Sequence, residues 1–127
     1  MKILHLEDDV FKRKKIERIL CSAGADHSVW VKNLEDGIIC IEEAQNKSEP
    51  YDLIISDMYY PLKDGGRETE AGTMLLSILK DKGIDTPVII CSSARLRIRE
   101  AYECLWYSEN SDWDRQLESL LRKIREK

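Results

Sequence analysis

No apolar run in these 127 residues approaches the roughly 18 that a membrane-spanning helix needs. Met1 and Lys2 lead straight into a short strand-like segment, without the longer apolar stretch and small-residue cleavage site of a secretory signal. On both counts a cytoplasmic protein is expected. Basic excess is lacking as well: 20 lysines and arginines stand against 24 aspartates and glutamates, a net charge of −4 that suits nucleic acid poorly. Two local basic clusters, at 12–15 and 95–99, fall in segments read as helix, where a solvated face is the ordinary explanation. Cys21, Cys40, Cys91 and Cys104 show none of the close C-x-x-C spacing of a zinc or redox site, so reduced core thiols are their default. There is no internal repeat, low-complexity tract or linker, and residues 1–127 read as a single domain. What is present is the composition of a soluble globular protein, 43% hydrophobic and 35% charged, able to bury roughly two thirds of its unfolded surface.

Apolar runs alternate with helical periodicity from end to end, the pattern of βαβ units and a parallel sheet. Strands are predicted near 2–6, 27–32, 52–57, 87–92 and 103–107. The first, third and fourth are unbroken apolar runs, as strands buried on both faces are. Between them lie helical stripes: Ile16, Ile19 and Leu20; Ile38, Ile39 and Ile41; Met74, Leu75, Ile78 and Leu79. A last helix carries Trp113, Leu117, Leu120, Leu121 and Ile124, with Asp112 placed to cap it, before the chain ends in Lys-Ile-Arg-Glu-Lys. Gly83 stops the third helix, and Pro87 opens the fourth strand, where a missing N–H is tolerated. Short right-handed connections then leave one simplest topology, a doubly wound, flavodoxin-like sheet of order 2-1-3-4-5 with helices on both faces.

In that topology the first and third strands end side by side, on the edge where open α/β sheets bind their ligands. Glu7, Asp8 and Asp9 come directly after the first strand and Asp57 closes the third, so several carboxylates crowd together. Such a cluster either raises some pKa values or holds a hard cation such as Mg2+ through oxygen. The cation is the favoured reading. Singly, each acidic residue has a plainer use, as a turn former or as the cap of the first helix, and Ser92 could cap the next helix.

The acidic group after strand one, Arg13 in the first helix, D-M-Y-Y-P-L-K-D-G at 57–65 and P-V-I-I-C-S at 87–92 come in one order and one structural context. In these features the chain resembles, over its whole length, the receiver domain of bacterial two-component response regulators. The resemblance implies that Asp57 is the phosphoacceptor and takes a phosphoryl group from a histidine kinase, a phosphotransfer protein or a small phosphodonor. It implies that Asp8 and Asp57 bind Mg2+ directly, that Glu7 assists through water and that Tyr59 offers its backbone carbonyl. Ser92 would hydrogen-bond a phosphoryl oxygen, Pro61 would shape the loop after the acceptor, and Asp9 would be a bystander.

The chain departs from the family in three places. Receivers end strand five with a lysine, usually with a proline next to it; here Tyr107 and Ser108 stand at those positions, and no nearby lysine in the sequence replaces the missing cation. The interval from Ser92 to Tyr107 leaves room for a fourth helix of only a turn or two. Conversely, 63–71 reads as a long polar arm beside the site, with Arg67 as the residue placed to reach the phosphoryl group in the lysine's stead; a solvated loop arginine is the ordinary alternative. Trp106, Tyr107 and Trp113 are read as filling the space left by the shortened helix, with a partner or homodimer patch as the rival.

The expected protein is therefore a signalling domain and not an enzyme, phosphorylated on Asp57 with Mg2+ and acting through an unidentified downstream protein. The alternative is a pseudo-receiver, a binding module that phosphate does not switch. An aspartate-nucleophile phosphohydrolase would need a second acid where Tyr59 stands, and a flavoprotein would need a phosphate loop where Glu7, Asp8 and Asp9 would repel it.

Overall fold

A computed structural model describes residues 1–25 and 27–126. Five parallel strands form the sheet: β1 (Lys2–Leu6), β2 (His27–Val31), β3 (Leu53–Ser56), β6 (Val88–Ser92) and β7 (Glu103–Trp106), in the order β2-β1-β3-β6-β7. Counted without the small hairpin after β3, this is the 2-1-3-4-5 order expected from the sequence. Four helices cover its faces: α1 (Val10–Ser22), α2 (Leu34–Asn46), α3 (Ala71–Asp81) and α4 (Trp113–Arg125). Lys127, at the end of the run read as the last helix, lies outside the described residues.

Strand alternation divides the interior in two. Leu4, Leu6, Ile54 and Ile90 pack with Leu34, Ile41, Leu75 and Leu79 on the α2–α3 face. Ile3, Leu53, Ile55, Ile89 and Leu105 pack with Ile16, Leu20, Leu117, Leu120 and Leu121 on the α1–α4 face. Residues from both β1 and β3 appear in each set, which is why those strands read as unbroken apolar runs.

Two connections depart from the sequence reading. The polar arm after Asp57 is an antiparallel hairpin, β4 (Tyr60–Pro61) with β5 (Glu68–Thr69), rather than irregular loop. Its Tyr60 is fully buried, and the Tyr60 hydroxyl lies 2.9 Å from the Ser56 hydroxyl. The shortening expected before β7 goes further than a turn or two: 93–102 contains no helix at all. Leu96, Ile98 and Ala101 pack against the α2–α3 core, while Arg95, Arg97 and Arg99 stay exposed. The basic cluster at 95–99 is thus solvated, as expected, but on extended chain rather than on a helix. An open groove of about 850 Å³ runs along this segment, past Tyr102 and Trp106.

No helix among the described residues is long and apolar enough to cross a membrane.

Candidate phosphoacceptor and metal site

Register decides where the acidic residues meet. Leu6 pairs with Ser56 across β1 and β3, and the Asp57 N–H donates to the Leu6 carbonyl at 3.0 Å. The residues just beyond both strands therefore share one edge of the sheet. Glu7, Asp8 and Asp57 each offer a carboxylate oxygen, all within 4.8 Å of one another. They line a cleft of about 360 Å³ together with Asp9, Lys12, Glu68, Ser93 and Tyr107.

The plainer use applies to Asp9 alone. Its Oδ1 accepts from the Phe11 and Lys12 N–H groups at 2.9 and 3.1 Å, capping α1 and satisfying donors that a helix start leaves open. Glu7 and Asp8 are left for the cleft. Glu7 Oε2 accepts from the Asp9 N–H at 3.2 Å, whereas Oε1, buried, receives no aligned hydrogen bond. A set of three carboxylates offering hard oxygen ligands within 4.8 Å of one another fits Mg2+.

Lys12 changes the electrostatics. The solvated face expected for 12–15 does not include it, because its side chain is only 6% exposed and runs inward. The ammonium lies 2.8 Å from Glu7 Oε1 and 3.2 Å from Asp57 Oδ1, and donates to the Cys91 carbonyl at 2.6 Å. The expectation that no lysine stands in for the missing one is corrected: helix α1 supplies a lysine that the motif spacing does not reveal. Tyr107, at the family's lysine position, lies over this ammonium with 5.3 Å to the ring centroid, and its ring packs on Trp113 at 4.9 Å. Both aromatic rings join the α1–α4 core, so packing is their role here.

Burial pushes the Glu7 carboxyl up to about 7; Lys12 opposes the rise and Asp57 adds to it. Burial likewise raises Asp8, with the Asp57 charge contributing. For Lys12, burial works against the ammonium, but Glu7 and Asp57 outweigh it and the pKa stands above the usual lysine value.

Asp57 uses its two oxygens unequally. Oδ1 accepts from the Met58 N–H at 2.7 Å and faces Lys12, while Oδ2 has no hydrogen-bond partner among the described residues. Behind it, Gly72 at the start of α3 donates its N–H to the Met58 carbonyl at 2.9 Å. A Cβ at Gly72 would fall 2.7 Å from the Asp57 carbonyl oxygen, so only glycine lets α3 approach this closely. Neither Lys12 nor Gly72 stands out in a motif reading. The signal for Lys12 is its spacing of four and eight residues from Ile16 and Leu20, which puts it on the buried stripe of α1.

Other predicted residues are less closely engaged. Ser92 is buried at the end of β6 with its Oγ accepting from the Ala94 N–H at 3.2 Å, and it is the next residue, Ser93, that lines the cleft. Tyr59 packs against the α2–α3 core, and Pro61 belongs to β4. Arg67 is exposed, and Glu68 rather than Arg67 borders the cleft. Arg13 stacks over Trp30 at 4.3 Å and pairs with Glu17 at 2.9 Å.

No family model matches the chain. A curated relative, the two-component response regulator ORR41 of Oryza sativa subsp. japonica, is 26% identical over 93 residues, which cover 73% of this chain and 66% of that protein. Among solved structures, the response regulator TrrA of Thermotoga maritima in complex with Mg2+ and BeF matches with a TM-score of 0.70 at 22% identity, covering 97% of each chain. The receiver domain of the histidine kinase CKI1 of Arabidopsis thaliana, complexed with Mg2+ and BeF3−, matches at 0.67 and 22% identity over 99% of this chain and 90% of that one. The fold is that of response-regulator receiver domains, as the sequence resemblance implies.

Proposed function

We propose that this chain is a phospho-accepting signalling protein, in which Asp57 takes a phosphoryl group in the presence of Mg2+ and thereby alters association with a downstream protein. The donor class is a histidine kinase or a phosphotransfer protein, and the setting is the cytoplasm. One observation carries the reading: the carboxylates of Glu7, Asp8 and Asp57 converge within 4.8 Å at the ends of two adjacent parallel strands. Asp8 and Asp57, with Glu7 through water and the Tyr59 carbonyl, would hold a Mg2+ ion, which would neutralise charge between acceptor and incoming phosphate.

The protein's own groups do the rest. With Oδ1 held by the Met58 N–H and Lys12, Oδ2 is the oxygen available for attack. A bond forms between Oδ2 and phosphorus as the phosphorus–nitrogen bond of the donor phosphohistidine breaks, its electron pair staying on the imidazole. Because Ser92 Oγ accepts from the Ala94 N–H, its own hydrogen is available to a phosphoryl oxygen. Incubation with Mg2+ and acetyl phosphate should add the mass of one phosphoryl group to the intact protein, and Asp57→Asn should abolish the gain. Incorporation that persists in Asp57→Asn would refute the assignment.

A pseudo-receiver remains the second reading, favoured by Tyr107 at the lysine position and by the absence of a helix in 93–102. It requires that Mg2+ bind without any phosphoryl incorporation into the wild-type protein.

A further inference from the structure

Burying an ammonium is costly unless acceptors meet each of its protons. Lys12 has three oxygens around its ammonium: it pairs with Glu7 Oε1 at 2.8 Å and Asp57 Oδ1 at 3.2 Å and donates to the Cys91 carbonyl at 2.6 Å. Its stem lies along the inner stripe of α1 above Ile16 and Leu20, and Tyr107 covers its head. Glu7, Asp57 and Tyr107 all border the acidic cleft, so the ammonium belongs to the site and not to the general core.

We propose that Lys12, delivered from α1, is the cation that positions the acceptor carboxylate and then holds the phosphoryl group, with Tyr107 lying over its ammonium. At this end of the sheet the ring stands just after β7 and the charge comes from α1. This inference rests on Asp57 being the acceptor. As the Oδ2–phosphorus bond forms and the donor's bond to phosphorus breaks, negative charge collects on the phosphoryl oxygens beside Oδ1. An ammonium already desolvated at that oxygen is placed to stabilise the charge by turning one N–H toward a phosphoryl oxygen.

The test compares wild type, Lys12→Met, and Lys12→Met combined with Tyr107→Lys, each checked for fold by circular dichroism. Phosphoryl incorporation from acetyl phosphate is read by intact mass, and Mg2+ binding by calorimetry. Loss of a charge-assisted contact should slow incorporation by about 10- to 100-fold in Lys12→Met. Mg2+ affinity should hold or tighten, since a competing cation has left the carboxylates. Returning a lysine to the strand end should restore most of the lost rate. Should the methionine variant not fold, Lys12→Gln carries the same expectations.

Incorporation by Lys12→Met at the wild-type rate would overturn the proposal while leaving Asp57 as acceptor. So would a joint loss of rate and Mg2+ affinity that Tyr107→Lys does not repair, since that pattern marks a structural lysine. A wild-type protein that binds Mg2+ but never gains a phosphoryl group would bring down both this proposal and the acceptor assignment.

Discussion

Gly72 shows how a residue without a functional group can control a site. Alanine would favour the helix by about 1 kcal/mol over glycine. Its Cβ, however, would meet the Asp57 carbonyl oxygen at 2.7 Å and Met58 Cα at 2.9 Å, backbone atoms that cannot swing aside. Overpacking of this kind costs about 1–3 kcal/mol, so the clash should win. Gly72→Ala is expected to lower stability in urea denaturation and to move α3 away from the loop after Asp57, slowing the proposed phosphoryl incorporation with it. An unchanged urea midpoint would show that the loop yields more easily than its hydrogen bonds imply. Glycine at 72 is legible in the sequence only as a candidate for flexibility; the reason for it is a distance between two elements that no local pattern encodes. Lys12 is the converse case. Its stripe position is readable beside Ile16 and Leu20, but a run of four basic residues invites the reading that all are solvated, and only tertiary packing singles out one of them.

At the scale of elements, helices with a clean apolar stripe are readable and lie where the stripe puts them. In α4, Leu117, Leu120 and Leu121 are all buried against the α1 side of the sheet. Leu117→Ala, at a fully buried position, should therefore cost about 2–5 kcal/mol, measured as a drop in the urea midpoint without loss of cooperativity. Asp112 stands at the N-cap of this helix but makes no side-chain capping bond; Ser111 Oγ accepts from the Trp113 N–H at 3.3 Å instead. The segment 93–102 is the instructive miss. Arg95, Leu96, Arg97, Ile98 and Arg99 alternate polar and apolar, a period of two that signals extended chain with one side packed. The usual helix between consecutive parallel strands is the competing expectation, and here the local signal prevails. The hairpin after Asp57 is illegible for another reason: two strands of two residues each carry too little pattern to separate from loop.

For the whole molecule, buried titratable groups set the pH range of stability. Burial pushes the Cys91 thiol up to about 12 and raises Tyr60 above its usual value, so both stay protonated in the fold at pH values where the unfolded chain would ionise them. With folded pKa values raised, their contribution is whole below pH 9 and is lost as pH climbs toward 12, at up to about 1.4 kcal/mol per pH unit for each group once both titrate in the unfolded chain. At the acid end, burial holds His5 down to about 3 from 6.5, and its Nε2 lacks a hydrogen-bond partner. That contribution is present above pH 6.5 and is lost as pH falls toward 3. Urea midpoints should accordingly form a plateau near neutrality and fall on both sides, and Cys91→Val should flatten the alkaline fall. The amino-acid sequence by itself determined the parallel α/β sheet, its strand order and the convergence of Glu7, Asp8 and Asp57, because periodicity and strand ends are local properties that topology rules extend. Only the tertiary structure decided which cation stands beside Asp57 and how closely α3 approaches it. Both depend on side chains and backbones that are distant in sequence and meet only when the layers pack.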